Sequence, residues 1–186
     1  MLTVIQTQPQ PCVSLQQIKA HLRLDHTEDD DYLMHLIKVA TTWVEDLIDS
    51  PLLNTTFVWQ TTVPNSHSIG LSGVQSCRAV VVLPKQNIVE LKRVVIIDSL
   101  GQKRQVNYKV QEEGGQMLVH LETLHKCFEI EFVAGYGERP EGVPSNLLQT
   151  VINHVACHYE CRTGIDRDNY LSLLQMVHPY RRVGLS

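Results

Sequence analysis

No apolar run in this 186-residue chain approaches the roughly 20 residues that span a bilayer, so no membrane crossing is expected. An excess of positive charge is also missing. Sixteen Lys and Arg stand against twenty Asp and Glu, for a net charge of -4. That balance excludes a general electrostatic grip on nucleic acid. Five cysteines, an odd number without framework spacing, exclude a disulfide scaffold and suit reduced thiols in a cytoplasm. The opening, MLTVIQTQPQPC, has neither a basic start nor a long apolar core, so no secretory signal is expected. Catalytic signatures are missing as well. There is no GxxxxGK[ST] phosphate loop and no Gly-x-Ser-x-Gly elbow, and Gly135-Tyr136-Gly137 lacks the third glycine of the dinucleotide pattern. The acidic run Glu28 to Asp31 has neither the central glycine nor the distal glutamate of a calcium loop. No enzyme and no cofactor is expected.

What is present is a globular chain. Hydrophobic residues make up 43% and charged residues 19%, enough for a proper core and too apolar for disorder. Residues 1–13 read as a flexible arm, because Pro9 and Pro11 oppose helix and Gln and Thr dominate. Ser14 with Gln17 three residues on is a capping-box pattern that opens a helix over 14–24. Thr27 is a good cap for a second helix over 28–49, whose acidic start suits the helix dipole. Leu33, Leu36, Ile37, Ala40, Val44 and Leu47 form its inward stripe, and it ends before Pro51.

Residues 55–133 read as a β insertion. Thr56 to Val63 alternates and is rich in β-branched and aromatic residues. Ala79 to Leu83, Val89 to Ile97, Gln105 to Val110, Met117 to Leu121 and Phe128 to Val133 follow as short strands. Turns at Pro64–Ser68, Asp98–Gly101 and Gly114–Gly115 separate them. Gly135 and Gly137 then reverse the chain. Pro144 presets a long helix over 145–163, striped by Leu147, Leu148, Val151, Ile152, Val155 and Tyr159. The fold class is therefore α+β. An antiparallel helical bundle of two N-terminal helices and one long C-terminal helix forms one domain, 14–164, interrupted by an antiparallel β region that is one sheet or a small sandwich.

Several segments in this order resemble the phage head–tail connector (adaptor) family, which includes connectors of prophages and gene transfer agents. The opening Ser14-Leu15, then Ala20 to Arg23, the acidic Glu28 to Asp31, and Trp43-Val44-Glu45 are similar to its N-terminal signature. Leu83-Pro84 followed by Val94 to Ile97, Asp98 and Gly101 resembles its middle, with Gln86-Asn87-Ile88 where a second proline is usual. The GYG turn at 135–137, Val143-Pro144 and Tyr159-Glu160-x-Arg162 resemble its end. So do Leu173-Leu174 and Pro179-Tyr180-Arg181. The resemblance runs from Ser14 to Arg182 and carries no catalytic motif.

The resemblance implies a structural virion protein at the head–tail joint, assembled in a host bacterial cytoplasm. Its subunits would form a ring, twelve-fold in the virion, that binds the portal above and a stopper or tail-completion protein below. Genomic DNA would pass through the channel without sequence-specific binding. Residues 165–186 would be the docking tail, with Leu173, Leu174, Tyr180, Arg181 and Arg182 as its contacts. Deleting Gln175 to Ser186 is then expected to leave a folded chain that no longer joins the portal.

Two other readings stand beside this one. The first is another tail-completion protein of similar build. The second is a metal-binding domain, because His154, Cys157, His158 and Cys161 fall at i, i+3, i+4 and i+7 and line one side of a helix. Four ligands on one straight helix cannot close a tetrahedron, and the residues between the two histidines are Val155, Ala156 and Cys157, not the HExxH pattern. Half-buried histidines and thiols at a helix interface are the plainer account.

Overall fold

The computed structural model describes residues 1–8, 10–62, 78–98, 100–113, 115–122, 127–161 and 164–181. The chain divides into two compact units, where the sequence predicts one domain over 14–164. The first unit is Met1–Thr7 with Thr55–Gly135, and the second is Gln8–Asn54 with Tyr136–Ser186.

The first unit is all β. Its strands are β1 (Leu2–Gln6), β2 (Thr55–Thr62), β3 (Arg78–Val82), β4 (Ile88–Ile97), β5 (Lys103–Gln105), β6 (Tyr108–Glu113), β7 (Gln116–Glu122) and β8 (Cys127–Ala134). They form a five-stranded sheet in the order β1-β2-β8-β4-β5 and a three-stranded sheet in the order β3-β7-β6. All pairings among the described strands are antiparallel. The alternation in β8 explains the layering. Phe128, Ile130 and Phe132 are fully buried and meet Val119 and Leu121 of β7 and Val81 of β3 in one core. Phe57 of β2 stacks on Phe132 with ring centroids 5.5 Å apart. Each such side chain contributes about 2–3 kcal/mol by leaving water.

The predicted turn at Asp98 forms as read. Its Oδ1 accepts from the amides of Leu100 and Gln102, each at 2.9 Å, and Gly101 takes φ 77°. The expected strand Gln105 to Val110 does not form as one piece. Lys103–Gln105 stays on β4, while Tyr108–Glu113 crosses to β7 in the other sheet. One return segment thus serves both layers of the sandwich. The predicted turn at Pro64–Ser68 lies outside the described residues, as does Gly114.

An ionic contact lies on the outer face of the larger sheet. Glu129 is 8% exposed. Lys103 Nζ donates to both its oxygens at 2.7 Å, and Gln60 Nε2 donates at 2.7 Å. The lysine and then the glutamine hold this carboxyl below the ordinary carboxylate range, against the effect of burial. Its stabilising contribution is present above the unfolded carboxylate range and is lost as pH falls through the lowered value. Lys103 is 44% exposed, so solvent screening limits the pair. Lys103→Met is expected to cost about 1 kcal/mol in urea unfolding at neutral pH, and the difference should vanish in acid once Glu129 is protonated.

The second unit is helical, with α1 (Leu15–Leu22), α2 (Asp30–Ile48), α3 (Ser145–Glu160) and α4 (Arg167–Val177). The Ser14 capping box is formed, with the Gln17 amide donating to Ser14 Oγ at 3.2 Å and the Ser14 amide donating to Gln17 Oε1 at 2.8 Å. The predicted cap Thr27 does not cap α2, whose N-cap is Asp29. Asp29 Oδ2 accepts from Tyr159 Oη at 2.7 Å, and Asp30 Oδ1 accepts from Lys19 Nζ at 2.7 Å. The acidic run therefore ties α2 to α1 and α3. Leu33, Ile37, Ala40 and Val44 of α2 meet Leu147, Val151 and Val155 of α3 in the core. Gly142 is required by space, because a Cβ there would lie 2.8 Å from the Tyr136 carbonyl oxygen.

Two expectations are corrected. The arm over 1–13 is no arm: Leu2–Gln6 form β1 on β2, and Cys12 and Val13 are buried in the helical core. The ladder from β2 outweighs the weak local preference of a Gln- and Thr-rich segment. The tail over 165–186, expected to lie beyond the last of three helices, begins with a further one, α4.

Candidate interaction surface

The C-terminal element is built from α4 outward. Asp166 is its N-cap, its Oδ1 accepting from the amides of Asp168 and Asn169 at 3.0 Å each. These bonds, first among them that of Asn169, hold the Asp166 carboxyl below its ordinary range. The helix turns Leu173 and Val177 inward, at 2% and 0% exposure. Val177 joins the core of the helical unit, and Tyr180 packs against that core. On the other side Tyr170 and Leu171 are 40% and 45% exposed.

The predicted docking residues therefore separate. Leu173 is buried, on the inward side of α4. Leu174 and Tyr180 are half-buried, and Arg181 is exposed. His178–Tyr180 form one 3-10 turn, and the Arg181 amide donates to the His178 carbonyl at 3.2 Å. Arg182 lies outside the described residues. Tyr170 and Leu171 stand out as the exposed apolar pair of α4.

The two histidines of the stripe on α3 join a row of tilted ring contacts. Trp43 of α2 lies over His154 with centroids 4.7 Å apart, and His158 follows at 4.6 Å. Tyr170 meets Trp43 edge-on at 6.1 Å. His154 is 3% exposed, and its Nδ1 has no hydrogen-bond partner among the described residues. Burial, and then the nearby His158, push its pKa down to about 4. Burial also pushes the Cys157 thiol up, away from the thiolate a metal would need. Cys161 is exposed beyond the helix end. Among the described residues, no group of three or more His, Cys, Asp or Glu side chains is placed to hold a metal ion. The stripe is a packing seam between α2, α3 and α4.

A second surface is invisible in the sequence motifs. β1 is one edge of the larger sheet, and all five of its residues are exposed. At the other edge, β5 pairs β4 only at Val95–Ile97. Among the described residues, no strand lies on the outer side of Ile88–Val94. No helix is long and apolar enough to cross a membrane among the described residues.

The profile of the phage gp6-like head-tail connector proteins matches residues 12–90. Three solved structures resemble the whole fold. The neck of an empty gene transfer agent particle with C6 symmetry has a TM-score of 0.78 at 19% identity, covering 100% of this chain and 97% of that one. The neck of a native particle with C12 symmetry has a TM-score of 0.76 at 16% identity, with the same coverage. A native gene transfer agent virion chain has a TM-score of 0.75 at 18% identity. No curated protein matches the chain. The resemblance to the head–tail connector family read from the sequence is borne out by the profile match and the shared fold.

Proposed function

We propose that this chain, a relative of the phage head–tail connectors, is a structural virion protein of the head–tail joint. The observation that carries the reading is its full-length likeness to neck chains of gene transfer agent particles, joined to the connector profile over residues 12–90. Copies pack side by side in a closed ring, twelve-fold in the virion, as the C12 symmetry of a similar neck supports. The ring binds the portal on one side and a stopper or tail-completion protein on the other. The four helices, packed as a bundle, supply the rigid body of each subunit. Tyr180, Arg181 and Arg182 dock on the portal, and Leu174 lines the base of that contact. The genome passes through the channel without sequence-specific binding, which suits a net charge of -4.

Deletion of the gene in its parent phage, prophage or gene transfer agent tests this. Electron microscopy of lysates is expected to find filled or empty heads beside free, complete tails. Normal tailed particles, or an absence of heads, would sink the reading.

A further inference from the structure

β1 is unlike a protected sheet edge. Its sequence, LTVIQ, carries no charge and no proline. Val4 and Ile5 expose 52% and 57% of their surface. Edges of this kind are normally blunted by charge, proline or a cover, because open amides and carbonyls recruit another strand. Leu2 and Val4 lie opposite Trp59 and Phe57, so they share the core-side face of the sheet. They are nevertheless exposed, and among the described residues no strand lies on the outer side of β1. Met1 exchanges both hydrogen bonds with Gln60. The alternation of an antiparallel ladder then turns the amides of Leu2 and Val4 outward.

Among the described residues the opposite edge of the same sheet is open along Ile88–Val94, where Val89 is 59% exposed. This half of β4 carries Glu90, Lys92 and Arg93, charges of both signs along the edge. A neutral strand such as β1 sets no like charge opposite any of them. Strand direction also fits. Directions alternate through β1, β2, β8 and β4, so β4 runs opposite to β1, and a neighbouring β1 would extend the sheet antiparallel. A closed ring of more than two copies needs two different patches of one chain, whereas β1 pairing with itself would close a two-fold dimer. The similar necks carry C6 and C12 symmetry.

We infer that β1 of one copy pairs with the Ile88–Val94 half of β4 in the next copy, making the larger sheet the lateral joint of the ring. This rests on the ring reading above. A photo-crosslinking benzoylphenylalanine placed at Val4 of the full chain, in particles of mixed isotope-labelled and unlabelled copies, tests it directly. The expected product links position 4 to a peptide within Ile88–Val94 of another copy. A link to Leu2–Gln6 of another copy, a link to a different virion protein, or no intermolecular link would each overturn the inference. Val4→Pro removes an outward amide and leaves the bonds to β2 in place. It is expected to preserve the thermal unfolding of the free chain while tailed particles fall at least ~100-fold, since an edge proline blocks strand addition. Wild-type particle numbers from Val4→Pro would overturn the inference. If deleting the gene yields separate heads and tails but position 4 makes no such link, the joint fails and the connector reading stands. If deletion leaves particles normal, the connector reading itself fails.

Discussion

Removing Gln175 to Ser186 is expected to destabilise the chain by about 2–4 kcal/mol, the scale of exposing one fully buried aliphatic side chain and part of an aromatic one. The cut takes away Val177, which is fully buried, and Tyr180, which packs on the same core. It also opens α4 beside Leu173. A deletion there loses portal joining and stability together, so it cannot isolate docking. A chain ending at Tyr180 separates them, because Arg181 is exposed and lies outside the core cluster. That shorter deletion is expected to keep the wild-type melting temperature and, under the proposed docking role, to yield heads beside free tails. Equal loss of stability from both deletions would place the last residues in the core. Calorimetry of the purified chains, read beside micrographs of the lysates, distinguishes the outcomes.

Acid is expected to weaken the helical unit through one residue. His154 titrates near 6.5 when exposed and at about 4 in the fold, because its charged form would be buried between Trp43 and His158. The sign follows from proton counting. Between these two values the unfolded chain binds the proton and the folded chain does not, so stability falls as pH drops. The contribution is unaffected above about pH 6.5 and fully lost below about pH 4. At 1.36 kcal/mol per unit, the loss is on the order of 3 kcal/mol. His154→Phe keeps a flat ring in the row and removes the proton site. Its urea-unfolding midpoint should change less between pH 7 and pH 4 than that of the wild type. Identical pH dependence in both chains would show that the seam does not govern acid sensitivity.

The features legible in the sequence are those with local causes. The Ser14–Gln17 capping box closes over three residues, and it forms as read. The alternation of Phe128, Ile130 and Phe132 against Glu129 and Glu131 fixes which face of β8 is buried, whatever its neighbours are. β1 was not legible, since LTVIQ becomes a strand only by pairing with β2, more than fifty residues away in the chain, and Pro9 and Pro11 point to an arm. α4 was legible in part. Asp166 with Asn169 is a capping pair, and Tyr170, Leu173 and Val177 recur at helical spacing. Gly164 and the basic end draw attention away from that period. The His154 to Cys161 stripe was visible as a spacing, but spacing does not say that Trp43 covers it. The open edges at Leu2–Gln6 and Ile88–Val94 carry no motif, because an unpaired edge is defined by what is not beside it.

The order of the chain has a consequence for how it is made. The helical unit takes its first part from Gln8–Asn54 and its second from Tyr136–Ser186. On the ribosome, α1 and α2 emerge long before α3 and α4, with the whole sandwich segment synthesised between them. At about 5–20 residues per second, Leu33, Ile37 and Val44 wait for several seconds or longer before Leu147, Val151 and Val155 arrive to cover them. β1 waits in the same way for β2, and β2 for β8. Nascent chains stalled before Ser145 would present that bare apolar stripe to chaperones, and release of such fragments should give aggregation instead of a soluble half-protein.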